Sequence, residues 1–269
     1  MRATGIVAHP GNPAIVYGTM ISQSNFVGGL HTLTVGTSTW NTASNLTGDN
    51  TTTSLAISAS GTTWLANFNG STNGGLLTGA SSASMAPTGY PLDIVETPGI
   101  VAPGAYRIRL SPGNASLAFL LMYDSPPYRT ANGGASWARV VAPDASPAFM
   151  RSAFFEIAEK PGNPAVQVAS TNKGIFRSVD SGASFSRLPS TGLQTTALQA
   201  LVYSPNGFLW AADRGGNIYC SVNDAVSFVS VPLGGLPPVA FTEAKFMNGS
   251  VHFSTDGGGV YKNATTTCP

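Results

Sequence analysis

The chain has 269 residues, of which only 9% are charged, and its formal net charge is +1. This length suits one large domain, and the charge balance, with no basic cluster, excludes nucleic acid as an expected partner. The longest apolar run, residues 117–123, is too short to cross a membrane. Abundant Ser, Thr, Gly and Asn without helical periodicity predict an all-β protein.

Six units follow one another along the chain, each opening with an apolar strand. In four of them a turn rich in Pro, Asn and Gly separates the first strand from the second, at residues 10–13, 112–115, 161–164 and 205–207. The second unit, roughly residues 52–93, has the weakest pattern, and the sixth stops soon after a third strand at Tyr261. The innermost strands are predicted to begin near Ala3, Thr52, Tyr106, Arg151, Leu198 and Val239.

A short motif recurs in the third, fourth and fifth units, at residues 130–137, 178–185 and 221–228. Its pattern is Ser/Thr-x-Asp/Asn-x-Gly-x-x-Trp/Phe, with Ala225 replacing the glycine in the last copy. Its Asp/Asn position recurs after about 48 and then about 43 residues, a spacing typical of propeller blades. The motif resembles the Asp-box (BNR) repeat of sialidase-like β-propellers. Asn132, Asp180 and Asn223 are therefore expected to accept backbone N–H bonds in a turn and to be structural.

The resemblance implies a single β-propeller over residues 1–269, built of four-stranded antiparallel blades. Six units favour six blades. Five or seven stay open, because the sequence does not show which terminus supplies the closing strand.

The cysteines and glycosylation motifs indicate a compartment. Cys220 and Cys268 are expected to form a disulfide that locks the C-terminal tail. Together with the Asn-x-Ser/Thr sequons, this favours a secreted, N-glycosylated protein. Because Met1 leads directly into a strand, either a signal peptide has been removed or the protein is cytosolic. His9, His31 and His252 are isolated, so neither a metal nor another cofactor is expected. Six Asn-x-Ser/Thr sequons occur, at Asn45, Asn50, Asn69, Asn114, Asn248 and Asn263.

Ligand sites of sialidase-like families lie on the face opposite the Asp-boxes, where the second and third strands of each blade connect. Asp213 and Asp256 are expected at equivalent places in adjacent units there, and a carboxylate pair is what glycosidic hydrolysis requires. They are predicted as catalytic, with turn stabilisation by the neighbouring glycines as the alternative. The predicted substrate-binding residues on this face are Asp124, Lys173 and Arg214 from the loops, and Arg107, Arg151 and Glu243 from the strand entries.

The loops around both aspartates, residues 212–216 and 255–259, are similar to the Thr-Asp-x-Gly-Gly loop of family 74 xyloglucanases. That likeness implies a glycoside hydrolase. Two departures stand against it: those enzymes use two propellers, and residues 17–23 of the first unit lack the aspartate expected there.

Three functions follow. The favoured one is a secreted, glycoside hydrolase-like propeller that acts on or binds polysaccharide through the face opposite the Asp-boxes. The alternatives are a non-catalytic lectin and a protein-binding propeller scaffold. The sequence leaves the sugar, the linkage and the oligomeric state open.

Overall fold

The structure is a computed structural model that describes residues 2–21, 28–42, 52–58, 61–67, 75–79, 86–87, 105–122, 125–141, 153–195, 197–233, 239–263 and 267–269. Every regular element within these ranges is a β-strand, and the strands form six antiparallel sheets. None of the described residues belongs to a helix long and apolar enough to span a bilayer. The chain divides into two compact units, described separately below.

Unit 1 comprises Met1–Ser111, Ala115–Tyr123 and Pro127–Arg139 and contains three four-stranded sheets. The first strands of consecutive sheets pack together, β1 on β5 and β5 on β9. A core between the second and third sheets includes Trp64, Leu120 and Trp137. The strands are β1 (Arg2–His9), β2 (Asn12–Ile21), β3 (Gly28–Thr34) and β4 (Trp40–Thr42); β5 (Thr52–Ile57), β6 (Thr63–Asn67), β7 (Gly75–Gly79) and β8 (Ala86–Pro87); and β9 (Ala105–Leu110), β10 (Ala118–Met122), β11 (Ser125–Thr130) and β12 (Ala138–Arg139).

Unit 2 comprises Pro112–Asn114, Asp124–Pro126 and Val140–Pro269. It holds two four-stranded sheets and one three-stranded sheet. The first strands again pack in sequence, β13 on β17 and β17 on β21. The strands are β13 (Phe154–Lys160), β14 (Asn163–Thr171), β15 (Gly174–Ser178) and β16 (Ser186–Arg187); β17 (Leu198–Tyr203), β18 (Leu209–Asp213), β19 (Ile218–Ser221) and β20 (Val229–Val231); and β21 (Phe241–Met247), β22 (Ser250–Thr255) and β23 (Val260–Asn263).

The predicted hairpin turns and strand starts are present in the structure. Each Pro/Asn/Gly turn joins a first strand to a second one, and Gly162, between β13 and β14, has φ +73°, a conformation that glycine adopts without strain. The innermost strands begin within three residues of the predicted starts. The last sheet ends with its third strand, as the sequence indicated.

A feature that the sequence did not predict is an irregularity at the start of every first strand. There the register against the second strand slips by one residue, as in a β-bulge, which bends the strand and redirects its side chains. The skipped residue lies between Ala3 and Gly5, Thr52 and Ser54, Ala105 and Arg107, Phe154 and Glu156, Leu198 and Ala200, and Phe241 and Glu243.

The C-terminal tail is tied to the second sheet of unit 2. Cys268 forms a disulfide with Cys220 of β19, with the two Cα atoms 5.6 Å apart. Cys220 is fully buried, and Cys268 packs on the core between the second and third sheets of this unit.

Candidate functional site

The candidate site lies at one end of the unit 2 sheets, where the second strand turns into the third. We call this the loop end of a sheet. Here the start of each first strand pairs with the end of the second, through Phe154–Thr171, Leu198–Asp213 and Phe241–Thr255. Backbone bonds from Asn172 to Ala153 and from Asp256 to Ala240 anchor two of the loops beside the strand entries.

The three recurring turns lie at the opposite end, between the third and fourth strands. In residues 178–185 the Ser178 hydroxyl accepts the Gly182 N–H at 2.8 Å and donates to Asp180 Oδ1 at 2.6 Å. Asp180 Oδ1 also accepts the Ser184 N–H at 3.0 Å. The turns at 130–137 and 221–228 repeat this pattern of bonds.

The aromatic residue that ends each recurring turn is buried. Trp137 meets Trp64 edge to face with centroids 6.0 Å apart, and Phe185 meets Phe154 with centroids 6.1 Å apart. Phe228 joins the core between the first and second sheets of unit 2. Asn132, Asp180 and Asn223 therefore organise turns whose aromatic residues lie in the core.

Asp213, the first predicted catalytic residue, is 1% exposed at the end of β18. Its Oδ1 accepts the Asn217 N–H at 2.9 Å, and its Oδ2 accepts the Asn217 side-chain amide at 2.9 Å and the Tyr219 hydroxyl at 3.3 Å. Burial, followed by the charge of Asp213, raises the pKa of Tyr219, so this phenol remains a donor at neutral pH. Both carboxylate oxygens are thus occupied by donors from the same hairpin.

Asp256, the second predicted catalytic residue, is exposed in the loop between β22 and β23. The loop is shaped by Thr255, whose N–H and hydroxyl both donate to the Gly259 carbonyl. None of the groups that bind the Asp213 carboxylate comes from this loop. The predicted equivalence of the two aspartates is wrong by one residue: Asp213 pairs with Leu198, whereas Thr255 takes the same place opposite Phe241. This offset leaves Asp213 buried and bonded while Asp256 faces solvent.

The predicted cations of unit 2 accompany Asp256 at the surface. Lys173 and Arg214 are both exposed, in the loops after β14 and β18. Neither forms a salt bridge with a described residue. The loop ends of the three sheets thus present two cations and one carboxylate to solvent.

The other predicted site residues lie elsewhere. Glu243 is half-buried on β21 just past its bulge, paired in register with Ser254. Arg107 is half-buried on β9, in unit 1. Asp124 and Arg151 lie outside the described residues.

A polar cluster that the sequence did not predict lies at the opposite end of unit 2. Asp224 accepts from Lys160 Nζ at 2.7 Å and from the Tyr203 hydroxyl at 3.0 Å. It therefore links the first and second sheets. Burial, followed by the charge of Asp224, raises the pKa of Tyr203. The only signal in sequence was the place of Asp224 beside Asn223 in a recurring turn.

Among the described residues, no group of three or more His, Cys, Asp or Glu side chains lies close enough to hold a metal ion.

Comparison with known proteins finds likeness in structure alone. No family model and no curated protein matches the chain. An ancestral GH74 enzyme superposes with TM-score 0.74 at 18% identity, covering 97% of this chain and 36% of that one. The GH74 xyloglucanase from Xanthomonas campestris gives TM-score 0.72 at 11% identity, covering 97% and 44%. YCF48 bound to D1 peptide gives TM-score 0.61 at 15% identity, covering 92% and 77%.

These likenesses show the fold. The chain is an all-β propeller with four-stranded antiparallel blades, and it spans less than half the length of the GH74 chains. The number of blades stays a prediction.

Proposed function

We propose that this protein is a secreted, non-catalytic β-propeller that binds polysaccharide at the loop ends of its blades. The state of Asp213 carries the proposal. A general acid or nucleophile must reach the glycosidic bond, and this carboxylate is 1% exposed with both oxygens already bonded. Its environment is that of a turn-stabilising residue, so the predicted pair of Asp213 and Asp256 lacks one member.

The exposed loop-end residues support binding. The side chains of Lys173, Arg214 and Asp256 form no hydrogen bond or salt bridge with a described residue, and such groups can bind hydroxyls and fix a sugar chain in one orientation. The likeness to GH74 enzymes supports a carbohydrate as the ligand by analogy of fold.

The test measures binding and hydrolysis side by side on a panel of plant and microbial polysaccharides. We expect the parent to bind at least one and to release no reducing sugar. Arg214→Ala with Asp256→Ala should weaken binding about tenfold, which equals about 1.4 kcal/mol. Asp180→Asn, at the opposite end of its sheet, is the matched control and should bind like the parent.

Two results would contradict the proposed function. Hydrolysis by the parent that disappears in Asp256→Ala identifies an enzyme and overturns the non-catalytic assignment. Absence of polysaccharide binding by the parent overturns the carbohydrate assignment.

A second candidate, a peptide-binding scaffold, has one observation in its favour. The chain covers 77% of YCF48, which was solved with a bound peptide, but less than half of the two GH74 chains. A peptide array probed beside the polysaccharide panel separates the candidates. Binding to peptides alone supports the scaffold.

Secretion is supported by the disulfide and by two sequons whose asparagines are exposed in turns, Asn114 and Asn248. Asn263 is 5% exposed, so its sequon is a poor acceptor in the folded protein. We further propose that the recurring turns are Asp-boxes, on the strength of their shared hydrogen bonds and buried aromatic residues.

A further inference from the structure

Three basic side chains form a continuous row across the last sheet of unit 2. Lys245 on β21 pairs in register with His252 on β22, which pairs with Lys262 on β23. Residues paired directly across strands point to the same face of a sheet. We call these three residues the basic row.

The basic row lies on the face that points away from the second sheet. Ala244, Phe253 and Tyr261 belong to the core shared with the second sheet. Because side chains alternate along a strand, their neighbours Lys245, His252 and Lys262 lie on the other face. Both lysines are exposed there, beside Val260 at 66% and Met247 at 45% exposure.

The positions equivalent to the basic row hold different residues in the two preceding sheets of unit 2. Its first sheet has Ala158, Val168 and Arg177 there, and its second has Val202, Trp210 and Cys220. Val168, Trp210 and Cys220 are fully buried because these faces pack on the next sheet. The last sheet places three basic residues where its neighbours place mostly apolar ones, so its sequence suits a polar ligand instead of another apolar face.

Neither lysine of the basic row forms a salt bridge with a described residue. The two lysines lie two strand spacings apart, about 9–10 Å between backbones, and like charges at this distance repel. Glu243 lies two residues before Lys245 on the same face and is an acidic neighbour of the row. An anion held between the lysines would relieve this repulsion.

We propose that the basic row binds the carboxylates of an acidic, uronic acid-containing polysaccharide. This site is separate from the loop ends and goes beyond the proposed function, on which it rests only for the assumption of a carbohydrate ligand. Lysine ammonium groups act as point charges, which attract the carboxylates of such a polymer. The exposed Val260 and Met247 provide apolar area for sugar rings. A net charge of +1 disfavours nucleic acid as the alternative polyanion.

The experiment measures the affinity of the whole chain for polygalacturonate, for an uncharged polysaccharide and for a single-stranded DNA oligonucleotide. The test variant is Lys245→Gln with Lys262→Gln. Arg187→Gln, which removes an exposed cation from β16 outside the row, is the matched control. We expect polygalacturonate binding to fall about tenfold in the double variant and to stay unchanged in the control, with the parent affinity dropping between 50 and 200 mM salt.

Folding is checked independently. Both lysines are exposed and repel each other, so the thermal midpoint of the double variant should equal or exceed that of the parent.

The outcomes separate the two proposals. Binding to the uncharged polysaccharide but not to polygalacturonate overturns the basic row and leaves the proposed function standing. Equal polygalacturonate binding by parent and double variant does the same. Binding to DNA alone, or to none of the three polymers, overturns the basic row, and the polysaccharide panel then decides the proposed function separately.

Discussion

At the scale of single residues, the three recurring turns show how little sequence is needed to fix a local structure. A hydroxyl at the first position and an Asp or Asn at the third produce the same bonds in all three copies. Asp180 differs in charge from Asn132 and Asn223. Burial raises the pKa of Asp180, but hydrogen bonds from Ser178, Ser184 and Ala183 outweigh it and leave this pKa below its usual value.

This difference predicts a pH effect confined to one turn. A carboxyl whose pKa is lowered by folding stabilises the protein above its unfolded pKa, about 3.9, and loses that contribution as pH falls through the folded value. Asp180→Asn should keep the turn, because Asn132 and Asn223 hold the same turn in the other two copies. The free energy of unfolding should change by less than about 1 kcal/mol at pH 7. Urea unfolding at pH 7 and pH 3 should show a smaller acid loss in the variant. An equal loss in parent and variant would contradict the assignment.

Two adjacent glycines in residues 130–137 should respond very differently to a methyl group. Both have positive φ, +69° at Gly133 and +93° at Gly134. A Cβ on Gly133 meets nothing within 4 Å, whereas one on Gly134 would overlap the Trp64 ring. Gly133→Ala should cost about 1 kcal/mol of backbone strain, and Gly134→Ala about 2–4 kcal/mol because overpacking is added. Equal costs in denaturant titration would refute the packing argument.

At the scale of elements, neighbouring sheets in each unit are joined mainly by apolar side chains, with a polar link in unit 2. Tyr203 at the end of β17 and Lys160 at the end of β13 both reach Asp224, in the turn after β19. The bulges at the starts of the first strands are the other recurrent device at this scale, and they lie at the loop end.

The hydrogen bond between Tyr203 and Asp224 predicts that the protein loses stability in alkali. The pKa of Tyr203 is raised by folding, so its contribution is complete below the unfolded value of about 10 and is lost as pH rises toward the folded one. Tyr203→Phe should cost about 1–2 kcal/mol at pH 7 and reduce the stability lost between pH 8 and pH 11. Lys160→Gln, the control, keeps the phenol bond and should cost only about 0–1 kcal/mol with the alkaline loss intact. Parallel curves for Tyr203→Phe and the parent would be evidence against the link.

At the scale of the whole molecule, the Cys220–Cys268 disulfide is the covalent cross-link among the described residues, with a sequence separation of 48. Closing such a loop restricts the unfolded chain far more than the folded one. The tail it holds packs on the core between the second and third sheets of unit 2.

Reduction should therefore lower stability by about 2–4 kcal/mol. The measurement is denaturant unfolding with and without a reductant. The control is the double variant Cys220→Ala with Cys268→Ala. Its free energy of unfolding should equal that of the reduced parent and should not change when reductant is added. A reductant effect that persists in this variant would exclude the disulfide as its cause.

The single domain predicted for residues 1–269 is testable by calorimetry. One cooperative transition, with equal calorimetric and van't Hoff enthalpies, is the expected result. Two separate transitions would instead match the two compact units of the chain and count against a single domain.

The sequence by itself determined the local features: the strand starts, the hairpin turns, the three-stranded last sheet and the paired cysteines. Each depends on residues close in the chain or on a repeat that can be counted, because turn dihedrals and strand alternation act over a few positions. Sequence also placed Asp213 and Asp256 at equivalent positions, and the strand register corrects this by one residue. Asp213 pairs with Leu198 and Thr255 pairs with Phe241, so Thr255 and not Asp256 is the counterpart of Asp213.

Only the tertiary structure decided which of those side chains are buried and hydrogen-bonded. Asp213 and Asp256 have similar neighbours in sequence, yet one is buried under Asn217 and Tyr219 and the other faces solvent. The basic row was equally hidden, because its members lie seven or more positions apart and meet only across strands. Burial and cross-strand pairing are set by which surfaces pack together, and a single sequence does not specify that.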